Sequence, residues 1–427
     1  MSKHKIIKPN NRRERIRNRW YVWQHRFWAM RYTGFVAFLA NTIGRIEHRQ
    51  IQKKKAAGET IWVDDVFAPP VDEKAYAQYE YVPANMEPQT GLKARKAKVM
   101  KQKTYPTTNY SFKYRMPPIS GNTLNGVGEE NPRRAKQPFF SKGYSGPWNK
   151  LERLFQGINK PALANFILKI FWMDRKRVGE VASVQREITD RAAMSQEIKE
   201  LAKKHGANLV GIAELKDHMR FEGFDLPFSY AIALAIPMDR ETMVQAPTHG
   251  TSLHIQETYK KVGGIAIKLA QDIRKMGWPA RASTNISPDT YEILHIPVAV
   301  DAGIGTLGKH GSLISQTLGS NIRLATVLTD LPLSVDGPEE IGVDAFCLSC
   351  QICSTNCPPQ AIFDTKKMVR GEEKWYVDFD ICVPYFVEYD GCGICLEVCP
   401  WSEAGRGPLI SEKMMARLKK EQQGENK

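Results

Sequence analysis

A chain of 427 residues is too long for a small electron carrier and long enough for two or three domains, and its 42% hydrophobic content suffices for a large core. The formal net charge is +15, yet residues 1–55 hold 15 Lys and Arg against only Glu14 and Glu47, so +13 of it sits in that segment. The basic character belongs to an N-terminal arm, which excludes a uniformly basic chain and disfavours nucleic acid as a partner of the remainder.

The arm mixes its arginines with Trp20, Tyr21, Trp23, Phe27, Trp28 and Tyr32. This suits a segment docked by its aromatics with its arginines in water, and it is also compatible with peripheral contact at an anionic membrane surface. Its longest apolar run, Phe35 to Ala40, is too short to cross a bilayer. Arg12-Arg13 is followed by Glu14 and Arg15, not by an apolar stretch and a small-residue cleavage site, so the expected location is cytoplasmic. Residues 60–150, rich in Pro, Gly, Asn, Tyr and Lys, read as extended chain wrapping a core, with few helices. Trp148 to Trp172 has the spacing of one or two amphipathic helices.

Ser195 to His205 predicts a helix stopped by Gly206, followed by a buried strand over Asn208 to Ala213. Tyr230 to Pro237 is a second strand, too continuously apolar to be half exposed. Glu257 to Met276 predicts a helix with Val262, Ile265, Ala266 and Leu269 on one face. Pro297 to Asp301 is short and apolar, and Ile322 to Leu331 predicts a last strand. The middle of the chain is therefore an α/β or α+β domain. Between these elements, Gly303, Gly305, Gly308 and Gly311 fall within nine residues. Such a loop lets backbone approach a ligand closely, and free N–H groups there suit phosphate; a plain glycine-rich turn is the simpler reading.

All eight cysteines lie between Cys347 and Cys399. The first run is Cys347-x2-Cys350-x2-Cys353-x3-Cys357-Pro358; the second is Cys392-x2-Cys395-x3-Cys399-Pro400, with Cys382 upstream. Zinc sites use paired Cys-x2-Cys with longer gaps, and disulfides scatter and need an oxidising compartment. Eight thiolates in this spacing fit two [4Fe–4S] clusters, with the last Cys of each run crossing to the other cluster. Cys347, Cys350, Cys353 and Cys399 would hold one; Cys357, Cys382, Cys392 and Cys395 the other, with Cys382 replacing the position taken by Tyr389. A chain so equipped moves single electrons.

The order Gly303-x-Gly305-x2-Gly308-Lys309-His310-Gly311-Ser312, then Arg323 and Thr329-Asp330-Leu331-Pro332, then the cysteine run, resembles the corrinoid-dependent reductases over about residues 185–405. That group includes reductive dehalogenases and epoxyqueuosine reductases. The resemblance implies an α+β chain: a nitroreductase-like, cobalamin-binding core over 185–340, a ferredoxin-like two-cluster domain over 341–405 and a charged tail over 406–427. Ahead of these lie the arm over 1–60 and a wrapping region over 61–184. It implies cobalamin bound base-off, so that His249, His254, His295 and His310 are not cobalt ligands. Asn285, Gly303, Gly305, Gly308, His310, Gly311 and Ser312 would then lie along the cobalamin. The nine residues between Cys382 and Cys392, and the helix around Tyr259, are similar to the dehalogenase branch, where this tyrosine opens the helix and is the proton donor. The basic residue that usually partners it falls where this chain has Asn321, so Arg323 or Lys309 must substitute. The implied reaction is reductive removal of halide from an organohalide, with an aromatic one suiting the aromatic content, by electrons from an external ferredoxin, flavodoxin or reductase. The competing readings are an epoxyqueuosine-type reductase acting on tRNA, for which Glu257 is the available acid, and an electron-transfer protein without catalysis.

Overall fold

The computed structural model describes residues 6–7, 49–63, 68, 71, 105–140, 146–158, 173–284 and 291–425, less positions 55, 60, 107, 109 and 174. The aromatics of the arm, the stretch 159–172 and Asn285 lie outside these residues.

The centre is a four-stranded sheet. Tyr230–Pro237 and Ile322–Thr329 are its inner strands, and Leu209–Glu214 and Ala280–Ser283 its edges. Every pairing is antiparallel, from Ile322 opposite Pro237 to Thr329 opposite Tyr230, with Leu209 opposite Ala235 and Thr326 opposite Ser283. The two classes left open by the sequence are thereby decided for α+β, because parallel strands would require crossovers that are not made. The strand Tyr230–Pro237 shows how one segment serves two cores. Ile232, Leu234 and Ile236 face one layer, and Ala231, Ala233 and Ala235 the other. Period-two alternation sends large residues to the thick core and alanines to the close one.

The thick layer is made by two helices. Arg191–Lys204 is capped by Asp190, whose carboxylate accepts from the N–H of Ala192 and Ala193, and ends at Gly206 with φ +109. The second helix, His249–Lys275, lays Val262, Ile265, Ala266, Leu269 and Ile273 on the sheet. It begins eight residues before the expected Glu257, at the Thr248 cap, so Tyr259 stands well inside the helix and does not open it. The polar run from His249 to Glu257 hid the first two turns. On the opposite face lies a short helix, His295–Asp301, carrying Val298 and Ala299; its Pro297 sits in the first turn, where the missing N–H costs nothing.

The wrapping region grips the cysteine segment. Ile61, Val63, Phe112, Trp148, Leu151 and Leu154 form a core with Val383 and Val387 of the helix Phe379–Glu388, which bears Cys382. Asn122 is the polar centre of that contact. Its amide donates to Asp378 and Asp380, and its carbonyl accepts from Phe379 N–H and the Tyr376 hydroxyl. A buried group deprived of its partner costs about 1–3 kcal/mol. Asn122→Ala is therefore expected to lower the denaturation midpoint clearly; an unchanged midpoint would show that the network does not fasten this region.

Candidate active site and cysteine segment

The eight thiols are free and lie buried or half-buried. Burial is the leading cause that raises every one of them, Cys347 to about 11 and Cys392 and Cys399 to about 12. Their mutual influence divides them. Cys353 feels Cys399, Cys350 and Cys347, and Cys399 feels Cys347 and Cys350. Cys395 feels Cys392, Cys382 and Cys357, Cys382 feels Cys392 and Cys357, and Cys392 feels Cys357. Only Cys353 with Cys395 bridges the two sets. Desolvated thiols that crowd one another favour a proton or a metal, and iron is what converts them to thiolates. Among the described residues no three His, Cys, Asp or Glu close on a single ion. Eight thiols gathered in this spacing are a donor set that suits iron–sulfur clusters.

The long helix and the inner strand bring Tyr259 and Arg323 together: the guanidinium carbon lies 4.9 Å from the centre of the phenol ring. Arg323 Nη1 donates to the Ile322 carbonyl at 2.9 Å, and its Nε is buried with no partner among the described residues. His254, one helical turn before Thr258, accepts from the Asp239 N–H at 2.8 Å. Burial first, then the charges of Lys261 and Arg323, hold its ring below the usual value. Glu257 is half exposed and pairs with Lys260 at 2.9 Å, turned to the solvent side of the helix.

Lys309 does not join Tyr259. Its ammonium donates to the Cys350 carbonyl at 2.8 Å, beside the first cysteine run. The glycine loop is a hairpin, Thr306–Leu307 against Leu313–Ile314. A Cβ at Gly305 would collide with the Ile314 carbonyl and one at Gly308 with the Ile314 side chain, so these two glycines are explained by the hairpin's own packing. Gly303, Gly308 and Gly311 spend their N–H groups on the carbonyls of Val300, Ser312 and Gly308, and Ser312 donates to His310 Nδ1. The expected free N–H groups for phosphate are not there at these four positions.

What fits a large, amide-rich cofactor instead is a set of buried polar atoms without partners among the described residues. These are Ser283 Oγ, Thr284 Oγ1, both ends of the Asn321 amide, Arg323 Nε and His310 Nε2. Ser283 pairs with Thr326, Thr284 follows it toward the start of Ile322–Thr329, and Asn321 and Arg323 stand at that start, where the strand pairs with Pro237 and Ile236. Burial pushes His310 and His295 to about 4, so both rings are neutral near pH 7.

Sequence reading missed two connections. Ser320 joins the strand start to the cysteine segment through Ser402 Oγ, 2.6 Å away, and the Leu396 carbonyl, 3.1 Å away. Arg177 and Arg281 both bind the buried Glu292 beneath the sheet. Both join residues remote in sequence, which no local pattern announces.

A family model described as a 4Fe-4S dicluster domain matches residues 346–402. A tetrachloroethene reductive dehalogenase of Desulfitobacterium hafniense is 34% identical over 213 residues, 46% of this chain and 37% of that protein. An epoxyqueuosine reductase of Vibrio cholerae is 32% identical over 165 residues, 35% of this chain and 39% of that protein. Among solved structures, the catabolic reductive dehalogenase NpRdhA in complex with 3-bromo-4-hydroxybenzoic acid superposes with a TM-score of 0.59 and 25% identity, over 68% of this chain and 45% of that one. A reductive dehalogenase structure described in terms of B12-dependent dehalogenation gives 0.54 and 25%, over 69% and 46%. The mixed helix-and-strand fold is thus similar to that of reductive dehalogenase structures, and the sequence is similar to tetrachloroethene reductive dehalogenases and, over a shorter stretch, to an epoxyqueuosine reductase. It spans well under half the length of the Desulfitobacterium hafniense protein. Among the described residues no helix is long and apolar enough to cross a membrane.

Proposed function

We propose that the chain is a reductive dehalogenase. It takes two electrons and one proton to convert R–X to R–H and halide, in a nitroreductase-like core that holds cobalamin base-off beside two [4Fe–4S] clusters. The observation that carries this reading is the Arg323 guanidinium 4.9 Å over the Tyr259 ring, in a chain homologous to reductive dehalogenases. Bound cobalamin would supply the low-valent cobalt that reduces a carbon–halogen bond, and the clusters would supply electrons one at a time.

The protein's own part is positional and protonic. Tyr259 gives its hydroxyl proton to the carbon that loses halide, and Arg323 steadies the phenolate left behind. Ser283, Thr284, Asn321 and His310 would meet the cofactor's amides with buried polar atoms that otherwise lack partners. The two cysteine quartets hold the clusters. The domain order is the arm over 1–60, the wrapping region over 61–184, the core over 185–340, the two-cluster segment over 341–405 and the tail. Electrons enter from an external donor of ferredoxin, flavodoxin or reductase type. An epoxyqueuosine-type reaction is less well supported, because the acid available to it, Glu257, is turned to Lys260.

Anaerobic reconstitution with iron, sulfide and cobalamin, followed by a halide-release assay under a low-potential reductant, tests the proposal. The first substrates are 3-bromo-4-hydroxybenzoic acid, found with the structural neighbour, and tetrachloroethene, named for the relative. Release of halide with the hydrogen-substituted product is expected. Turnover of epoxyqueuosine tRNA alone would overturn the reading.

A further inference from the structure

Lys309 is 1% exposed, an expensive place for an ammonium group. Its surroundings are built for it. The Cys350 carbonyl accepts at 2.8 Å, Asp364 stands 4.0 Å away, and the Trp375 ring centre is 5.0 Å below. Asp364 is itself oriented by Ser354, and Trp375 by its indole N–H to Asp344, at 2.8 Å each. Lys309 thereby stands against the backbone of the first cysteine run. Its charge reaches Cys347, Cys350 and Cys353, and Arg406 adds to it at Cys350. Near the other set, among the described residues, Arg240 donates to the Glu397 carbonyl at 2.7 Å and faces the Glu397 carboxylate, which offsets its charge, and Cys382 feels Asp378.

We propose that Lys309 sets the reduction potential of the cluster held by Cys347, Cys350, Cys353 and Cys399, making it the more readily reduced of the two. The inference rests on the two-cluster reading. Each reduction carries one electron from an external one-electron reductant into the cluster, with no bond made or broken, so the cluster gains one negative charge. A buried cation at hydrogen-bond range of a ligand's own backbone favours that charge, and in a dry interior the effect is poorly screened. The same quartet lies on the Ser320 path to Asn321 and Arg323, since Ser320 Oγ lies 2.6 Å from Ser402 Oγ and the Ser402 N–H donates to the Cys399 carbonyl at 2.9 Å. Lys309 is thus a positioning residue for the electron, acting through the cluster.

The test is a mediated dithionite titration of the reconstituted full chain, followed by electron paramagnetic resonance, in the wild type, Lys309→Met and Lys309→Arg. Two midpoint potentials are expected in the wild type. Lys309→Met should move one of them to a more negative value and leave the other in place, and Lys309→Arg should restore it. Should Lys309→Met lose one cluster while Lys309→Arg keeps both at wild-type potentials, the charge requirement stands. Unchanged potentials in Lys309→Met at full iron content would overturn the proposal, as would equal loss of iron in both variants. A wild type that binds no four-iron cluster would reject the two-cluster reading itself, and this proposal with it.

Discussion

Tyr259→Phe keeps the iron and cobalt of the wild type and lowers halide release by about 10²–10⁴-fold, the range over which a positioned general acid acts. The substitution removes one oxygen and leaves the ring that packs against Arg323, so neither the helix His249–Lys275 nor the sheet beneath it is disturbed. The alternative acids are poorly placed. Glu257 is occupied by Lys260 in solvent, and the rings of His295 and His310 are neutral, pushed to about 4 by burial. His254 is held below its usual value and already accepts from Asp239. Loss of rate with cofactor content intact is a readout that a packing role for the tyrosine would not produce. Wild-type turnover in the variant would remove Tyr259 from the mechanism.

Cys382→Ser has the second large effect. Iron falls from about eight to about four per chain, and reductant-driven turnover is lost with it. Cys382 is the one proposed ligand outside both runs. It is presented by a helix, Phe379–Glu388, that the wrapping region holds through Val383, Val387 and the Asn122 network. Its thiol is raised chiefly by burial, then by Cys392 and Cys357. The visible signal should change from two clusters to one, with the remaining potential that of the Lys309 quartet. Full iron content in the variant would show that Cys382 is not a ligand, and the assignment of the second quartet would fail.

The cysteine pattern was legible because cluster ligation needs a fixed local spacing, and the strand Tyr230–Pro237 because its alternation of Ala with Ile and Leu is a property of consecutive residues. Tyr259 is singled out by resemblance, but its place within the helix is not legible in the sequence. The cap at Thr248 precedes a run with little apolar periodicity, and the first turns fold on tertiary contacts such as Ile255 beneath Met238 and Met243. The glycine loop shows a different limit. A glycine says that a side chain is excluded, and only coordinates say whether a ligand or, as at Gly305 and Gly308, the chain's own Ile314 excludes it. The choice between Arg323 and Lys309 was open for a similar reason. Both are cations in the right segment, and hairpin geometry sends Lys309 to Cys350 while the strand sends Arg323 to Tyr259. Asn122 and Asp380 stand 258 residues apart, and nothing local marks them as partners.

The proposed enzyme holds both a corrinoid and two clusters in one chain. Metal analysis after anaerobic purification with cobalamin supplied tests it most directly. About eight iron and about one cobalt per chain is the predicted result. Iron without cobalt, even after reconstitution, would contradict it and leave a protein that carries electrons without the means to spend them on a carbon–halogen bond.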